Sequence, residues 1–329
     1  MQANLTRRQL LQGCACAAFG GALGGRWASY AEAADNPPRA PAMQAREAAP
    51  GCWYVEGLSA LGSPANQNFI SNAGFVVTSS SVVVIDALGS PALAERLLAE
   101  IAKVTSKKVS HVIVTHYHAD HVYGLQVFAD RGIPIIAHQA GREYLYADVA
   151  RLRLQASREE LAPWIDAQTR LVPATQWIDA RQELTVGDTQ LVLQPVGPAH
   201  TPEDLAVYLP QRKLLYAGDL VFRSRIPFVG QADSRNWILS LDKLLAFDAQ
   251  VIVPGHGPVS TEARKDMQLT RDYLVYLRKT MGAAAQEMTP FEEAYKATDW
   301  SAFEHLPLFG AANRMNAYNT YLLMEHEAP

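Results

Sequence analysis

Cysteine is nearly missing from this chain. Of 329 residues only Cys14, Cys16 and Cys52 are cysteines, and the first two lie in a segment read below as removable. Cys52 is then left alone, so no intramolecular disulfide can form even in an oxidising compartment. A surplus of one charge is missing too. The 29 Lys and Arg against 33 Asp and Glu give a net charge of −4, with no basic cluster. Nucleic acid and anionic membrane surfaces are therefore poor partners. The mildly apolar stretch from Cys14 to Leu23 is far short of the roughly 20 residues a membrane span needs. No Gly-x-Ser-x-Gly elbow, phosphate-binding loop, dinucleotide fingerprint or internal repeat is present. What remains is a chain with 49% hydrophobic residues, enough to bury a large core in one or two domains.

The first residues read as an address. Thr6-Arg7-Arg8-Gln9-Leu10-Leu11 resembles a twin-arginine export motif, with Arg7 and Arg8 as its pair. The Gly/Ala-rich stretch follows, then the small-residue cleavage pattern Ala31-Glu32-Ala33. Residues 1–34 are thus expected to be a signal peptide, the mature protein periplasmic and without stable membrane insertion. A lipoprotein signal ending at Cys14 is disfavoured, because Gln12 fits poorly and little apolar sequence precedes the Cys. Residues 35–50, rich in Pro and Ala, read as a disordered lead-in.

The informative run is His116-Tyr117-His118-Ala119-Asp120-His121, directly after the mainly apolar Val109 to Thr115. Imidazole and carboxylate are ligands of borderline divalent metals such as zinc. In extended or loop backbone, positions two apart point the same way. His116 and His118 can therefore grip one ion while Asp120 and His121 face a second site. Matching residues come later. His200 sits in Gly197-Pro198-Ala199-His200-Thr201-Pro202, Asp219 in Tyr216-Ala217-Gly218-Asp219-Leu220, and His256 in Pro254-Gly255-His256-Gly257. Each ends a short apolar strand punctuated by Gly or Pro, where a rigid sheet can present side chains from separate segments to one point.

Together, HxHxDH, the His of GPAHTPED, the Asp of YAGDLVF and the His of PGHG resemble the metallo-β-lactamase-fold hydrolases from about residue 50 to about residue 285. GPAHTPEDLAVY, LLYAGDLVFRSRIPFVGQADSRNW and NRMNAYNTYLLME are most similar to periplasmic metallohydrolases encoded near quinoprotein or sulfur-oxidation systems. The resemblance implies an α/β fold, a four-layer αββα sandwich. It implies that His116, His118 and His200 hold the first metal, that Asp120, His121 and His256 hold the second, and that Asp219 bridges them. Two zinc ions are the implied cofactors, with iron as the alternative metal, and Asp120 would orient a bridging hydroxide. True β-lactamases of this fold usually carry Cys or Ser where Asp219 stands, so a dedicated antibiotic-degrading role is disfavoured. Quinoprotein or sulfur-oxidation components are the implied partners.

Periodicity predicts strands around Trp53–Val55, at Phe69–Thr78, Val82–Asp86, Val109–Val114 and Ile133–Ala137. Further strands are predicted within Gln176–Val196 and at Leu205–Leu209, Leu214–Ala217 and Val251–Val253. Helices are predicted over Pro91–Lys103, Val122–Asp130, Arg142–Leu161, Ser234–Phe247 (N-capped by Ser234) and Thr261–Lys279. The domain should run over residues 51–285, with 286–329 a helical extension of it. Tyr117, Tyr123, Phe222 and Phe228 are candidates for the substrate wall, with Arg223, Arg225 and Trp237 nearby. Thr201 is a candidate to orient a ligand. His111 and His138 read as structural.

The expected activity is hydrolysis of small esters, thioesters, lactones or related acyl compounds. Two other classes share these ligands: a mononuclear iron enzyme of the persulfide-dioxygenase kind, and a metal-binding accessory without turnover. The export signal makes its own prediction. Lys does not reproduce the planar, bidentate guanidinium, so changing Arg7 and Arg8 together to Lys should leave precursor in the cytoplasm. Fractionation showing undiminished periplasmic protein would remove the signal assignment.

Overall fold

The computed structural model describes residues 42–230 and 232–327. The segment expected to be a signal peptide, with Arg7 and Arg8, and the lead-in as far as residue 41, lie outside the described residues. Two sheets carry the fold. The first has seven strands in chain order: β1 Arg46–Ala49, β2 Cys52–Val55, β3 Ala73–Val77, β4 Val82–Ile85, β5 Val109–Ile113, β6 Ile135–His138 and β7 Gln176–Ile178. The second has five, ordered β12 (Val251–His256), β11 (Leu214–Phe222), β10 (Leu205–Leu209), β9 (Thr189–Pro195) and β8 (Gln182–Val186).

Alternation along the strands decides the layers. In β4, Val82 and Val84 face one core while Val83 and Ile85 face another. In β9, Leu191 and Leu193 share that second core with β4, whereas Val192 points away from it. A period of two puts successive side chains on opposite faces, so each sheet is buried on both. Sheet meets sheet through Val83, Ile85, Ile113, Leu193, Val207 and Tyr216. The outer face of the first sheet is covered by α1 (Pro91–Val104), α3 (Leu125–Ala129) and α5 (Asp148–Glu160). The outer face of the second is covered by α6 (Ser234–Leu245), α7 (Ala263–Gln286) and α9 (Arg314–His326). This is the αββα sandwich. The shorter helices are α2 (Ala119–Val122), α4 (Gly141–Leu145) and α8 (Phe291–Ala297). No helix among the described residues is long and apolar enough to cross a membrane.

Local chemistry explains the main helices. Ser90 caps α1 by accepting from the Leu93 N–H at 3.2 Å, and Pro91 occupies its first turn. Leu93, Ala94, Leu97 and Ile101 form its buried stripe. In α6 the cap is Asp233, which accepts from Asn236 N at 2.9 Å. Ser234, expected as that cap, already lies inside the helix.

Other expectations change as well. Residues 46–49 are not disordered: Arg46 and Glu47 pair with Tyr54 and Trp53 in β2, and the Ala45 N–H donates to Glu100 on α1. Backbone pairing won over a Pro/Ala-rich composition. The predicted helix over Arg142–Leu161 breaks into α4 and α5 at Tyr146–Ala147, where Ala147 turns extended at the head of α5. The predicted helix over Val122–Asp130 is likewise split between α2 and α3. The Gln176–Val196 run divides between sheets, β7 closing the first and β8–β9 opening the second. Strands β11 and β12 run on past their predicted ends, to Phe222 and His256, and so contain Asp219 and His256 themselves.

Tyr216 locks sheet to sheet. Its hydroxyl donates to Trp53 O at 3.0 Å, and its ring fills the space over Gly74, where a Cβ would stand 2.2 Å from a ring carbon. Gly74→Ala should therefore overpack the seam and cost about 1–3 kcal/mol. A urea unfolding midpoint equal to that of the parent, at equal metal content, would contradict this.

Candidate metal centre

Four strand ends meet at one edge of the sandwich. The loop after β5 carries His116, His118, Asp120 and His121, from the first sheet. The second sheet supplies His200 after β9, Asp219 within β11 and His256 at the end of β12. The potential ligand atoms of His116, His118, His200 and Asp219 form one group, and those of Asp120, His121 and His256 a second. Within each group the atoms lie within 4.8 Å of one another. His118 Nδ1 and His200 Nε2 are 3.0 Å apart. His256 Nε2 lies 3.3 Å from Asp120 Oδ2.

Asp219 stands between the groups. Its Oδ2 is 3.3 Å from His200 Nε2 and 3.8 Å from His116 Nε2, and 3.2 Å from His256 Nε2. Its Oδ1 is 3.2 Å from His121 Nε2. All seven predicted ligands therefore converge. The polar atoms also fit ions. His116 Nε2, His121 Nε2 and Asp219 Oδ1 are buried without hydrogen-bond partners, an unusual and costly state for protein atoms alone. Two divalent cations would satisfy all three.

Electrostatics agree. Burial pushes His116 well below its ordinary pKa and His118 down to about 3, as suits neutral imidazole donors. Burial opposes charge on His121 as well, but the carboxylates of Asp219, Asp120 and Asp86 outweigh it and raise its pKa well above normal. Asp219 and Asp120 are held low, because the surrounding imidazoles overcome the burial that would raise them. The carboxylates are thus ionised and the site attracts cations.

The ligands are aimed by residues behind them. Asp86, at the end of β4, accepts the Thr115 N–H and hydroxyl at 2.8 Å each and lies 2.9 Å from His121 Nδ1. Its backbone is left-handed, at φ 61°, a conformation tolerated where several bonds over-determine it. The Thr115 hydroxyl in turn meets His116 Nδ1 at 3.0 Å. Asn72 donates from Nδ2 to Pro254 O and Gly257 O, at 2.8 Å each, fixing the turn that bears His256. Gly255 leaves room for the bridge, since a Cβ there would fall 2.0 Å from Asp219 Oδ1. Sequence reading missed Asp86 and Asn72; a carboxylate ending the strand beside the metal-loop strand was the only signal. Thr201, expected near a ligand, spends its N–H and hydroxyl on Asp204, at 2.8 Å each.

The proposed aromatic wall largely dissolves. Tyr117 stacks on Trp177 in the core under the first sheet, and Tyr123 lies in that same core with its hydroxyl 3.3 Å from Ser157 Oγ. Side chains of a loop between sheet and helices are drawn inward when large and apolar. Phe222 is 2% exposed and stacks on His256, ring centroids 5.2 Å apart. Trp237 meets the His200 ring edge-on at 5.3 Å and donates to Leu220 O. These two back the ligands. Phe228 is half-buried beside the Arg225 guanidinium. Arg223 pairs with Asp266. His111 contacts Ser110, and His138, the last residue of β6, belongs to neither metal group.

With this geometry, comparison with known proteins is decisive. Residues 67–256 match the family model described as the Metallo-beta-lactamase superfamily. The chain belongs to that superfamily. It is 30% identical over 194 residues to a "Metallo-beta-lactamase type 2" of Bacillus sp. (strain 170), covering 57% of this chain and 67% of that one. It is 25% identical over 249 residues to a "Linear primary-alkylsulfatase" of Pseudomonas sp. (strain ATCC 19151), covering 64% of this chain and 47% of that one. Among solved structures, a metallo-beta-lactamase from Pontibacter korlensis superposes with TM-score 0.56 at 22% identity, over 71% of this chain and 99% of its own. A stereoselective inverting sec-alkylsulfatase from Pseudomonas sp. superposes with TM-score 0.66 at 19% identity, over 85% of this chain and 50% of its own. The chain spans about half the length of the alkylsulfatases it matches.

Asp86 supplies a test. Asp86→Asn keeps the volume and tolerates the left-handed backbone but removes the charge behind His121. Outer partners of this kind are worth about 10–100-fold in metal affinity. Competition with a chromophoric chelator should show the second ion weakened by that factor, and two ions bound as tightly as in the parent would refute the role.

Proposed function

We propose that this chain is an exported di-zinc hydrolase acting on small esters, thioesters, lactones or related acyl compounds, beside a periplasmic quinoprotein or sulfur-oxidation system. The observation that carries the two-ion reading is Asp219, whose two carboxylate oxygens reach imidazoles of both groups at 3.2–3.3 Å. A single iron held by His116, His200 and Asp219 would leave His118, Asp120, His121 and His256 converged for no ion. When bound, two divalent cations lower the pKa of water toward neutrality and polarise a carbonyl.

The chain's own residues do the rest. Asp219 and four imidazoles hold the charges in a fixed, buried array, which needs no reorganisation during reaction. Asp120 and His118 are the ligands with partial exposure, and the Asp120 side chain is 16% exposed against 4% for Asp219. Substrate and the attacking water therefore approach on the Asp120–His118 side, where Asp120 can accept a hydrogen bond from that water. Ser71 fixes the same loop by donating to the Asp120 carbonyl at 2.5 Å. An Asp at the bridging position favours the broader hydrolases over dedicated lactamases. A second reading is sulfate-ester cleavage. By sequence, the alkylsulfatase likeness covers more of this chain than the lactamase likeness does, 64% against 57%.

Metal analysis and a chromogenic panel of ester, thioester, lactone, lactam and alkyl sulfate test these readings. About two zinc per chain and turnover of an acyl substrate are expected. Asp219→Asn should lose at least one ion and slow turnover by on the order of 100-fold or more, the scale of one preorganised electrostatic partner. Sulfate-ester turnover alone would favour the second reading. One iron per chain with O₂ uptake on glutathione persulfide would replace the hydrolase by an oxygenase.

A further inference from the structure

The segment after β11 brings a guanidinium to the back of the metal centre. Arg225 is 3% exposed and lies over the rings of Phe222 and Phe228, at 5.4 and 5.7 Å. Its neighbour Arg223 has a carboxylate partner in Asp266. Arg225 makes no such pair among the described residues; its polar contacts are Ile226 O at 3.4 Å and His256 Nδ1 at 3.2 Å.

The contact with His256 is not an ordinary hydrogen bond. His256 Nδ1 also lies 2.7 Å from Ile70 O. A carbonyl oxygen only accepts, so Nδ1 carries the ring proton and donates it there, leaving Nε2 free to ligate. The Arg225 N–H thus meets a nitrogen with no lone pair to offer. What it delivers is positive charge beside a metal ligand. His121, in the same group, receives the opposite treatment from the Asp86 carboxylate at 2.9 Å.

A buried cation in this place has to be held, and the C-terminal extension holds it. Asn316 of α9, fully buried, donates from Nδ2 to Pro227 O at 2.7 Å and accepts from Val229 N at 3.0 Å. The same Nδ2 donates to the Tyr273 hydroxyl at 3.0 Å, and that hydroxyl donates to Asn313 at 2.8 Å. Ile226 N donates to Pro307 O at 3.0 Å. Three of the four residues after Arg225 are therefore pinned by chain beyond residue 300.

We propose that Arg225 is a positioning residue, held against His256 by the C-terminal extension, that makes the site of Asp120, His121 and His256 bind its metal more weakly than the other site does. The proposal rests on the two-ion reading above. A cation beside an imidazole draws density from it and repels an incoming divalent ion.

Stepwise zinc titration of metal-free full-length protein against a chromophoric chelator tests it. The parent should show two unequal dissociation constants. In Arg225→Met, which keeps length and apolar packing, the weaker constant should tighten about tenfold, the lower end of outer-partner effects, with the stronger one unchanged. Arg225→Lys should stay near the parent. A merely structural arginine would instead loosen both constants and lower thermal stability equally with and without zinc. Asn316→Leu leaves the charge but frees the segment. It should tighten the weaker constant in the same direction, and it carries the test if Arg225→Met does not fold. Unchanged or weaker second-site binding in the variant that folds overturns the proposal. Fewer than two zinc on the parent protein overturns the two-ion reading, and the proposal with it.

Discussion

Everything at this edge of the molecule follows from burying Asp219 among imidazoles. A carboxylate out of water is costly unless paired and bonded, and here it is 4% exposed. Imidazoles from separate strands face it, several with ring nitrogens lacking protein partners. Protein atoms alone leave these ring nitrogens and one Asp219 oxygen without hydrogen-bond partners. The site is built as one half of a complex whose other half is ionic.

The scaffold spends its rigidity on that edge. Strands β11 and β12 run parallel with Gly218 opposite Pro254, which sets Asp219 beside the His256 turn. A glycine at 255 keeps the approach clear. Asp86 ties β4, Thr115 and His121 into one unit, so the first sheet presents its four ligands together. The aromatics sit behind the candidate ligands, as packing, and the cluster's partly exposed members are Asp120 and His118.

All seven candidate ligands were legible in the sequence because each is a polar residue of a metal-binding type in or just beyond an apolar strand. That pattern survives without knowing which strands pair. The two-sheet division was not legible within Gln176–Val196, since β7 and β8 are alike in polarity and only pairing separates them. Tyr117 and Tyr123 misled because loop position was read as exposure; an aromatic ring in a tight loop over a helix layer gains more from the core. Asp86 escaped notice because its role is to orient another residue, which leaves no spacing signature. The strand at residues 46–49 escaped because β-pairing supplies what its composition does not.

The ligands are drawn from both sheets: His116, His118, Asp120 and His121 from the seven-stranded one, His200, Asp219 and His256 from the five-stranded one. An ion held at either group would therefore staple the two halves of the sandwich at one end, as a disulfide would in a chain that had cysteines for it. Closing loops as long as the stretch between His118 and His200 removes entropy from the unfolded chain that scales with the logarithm of their length. On the proposed two-ion reading, metal supply would in this way be a folding condition as well as a catalytic one. Under the proposed export, with residues 1–34 removed, Cys52 would be the lone thiol, and long-range cross-links would come from ions rather than from sulfur.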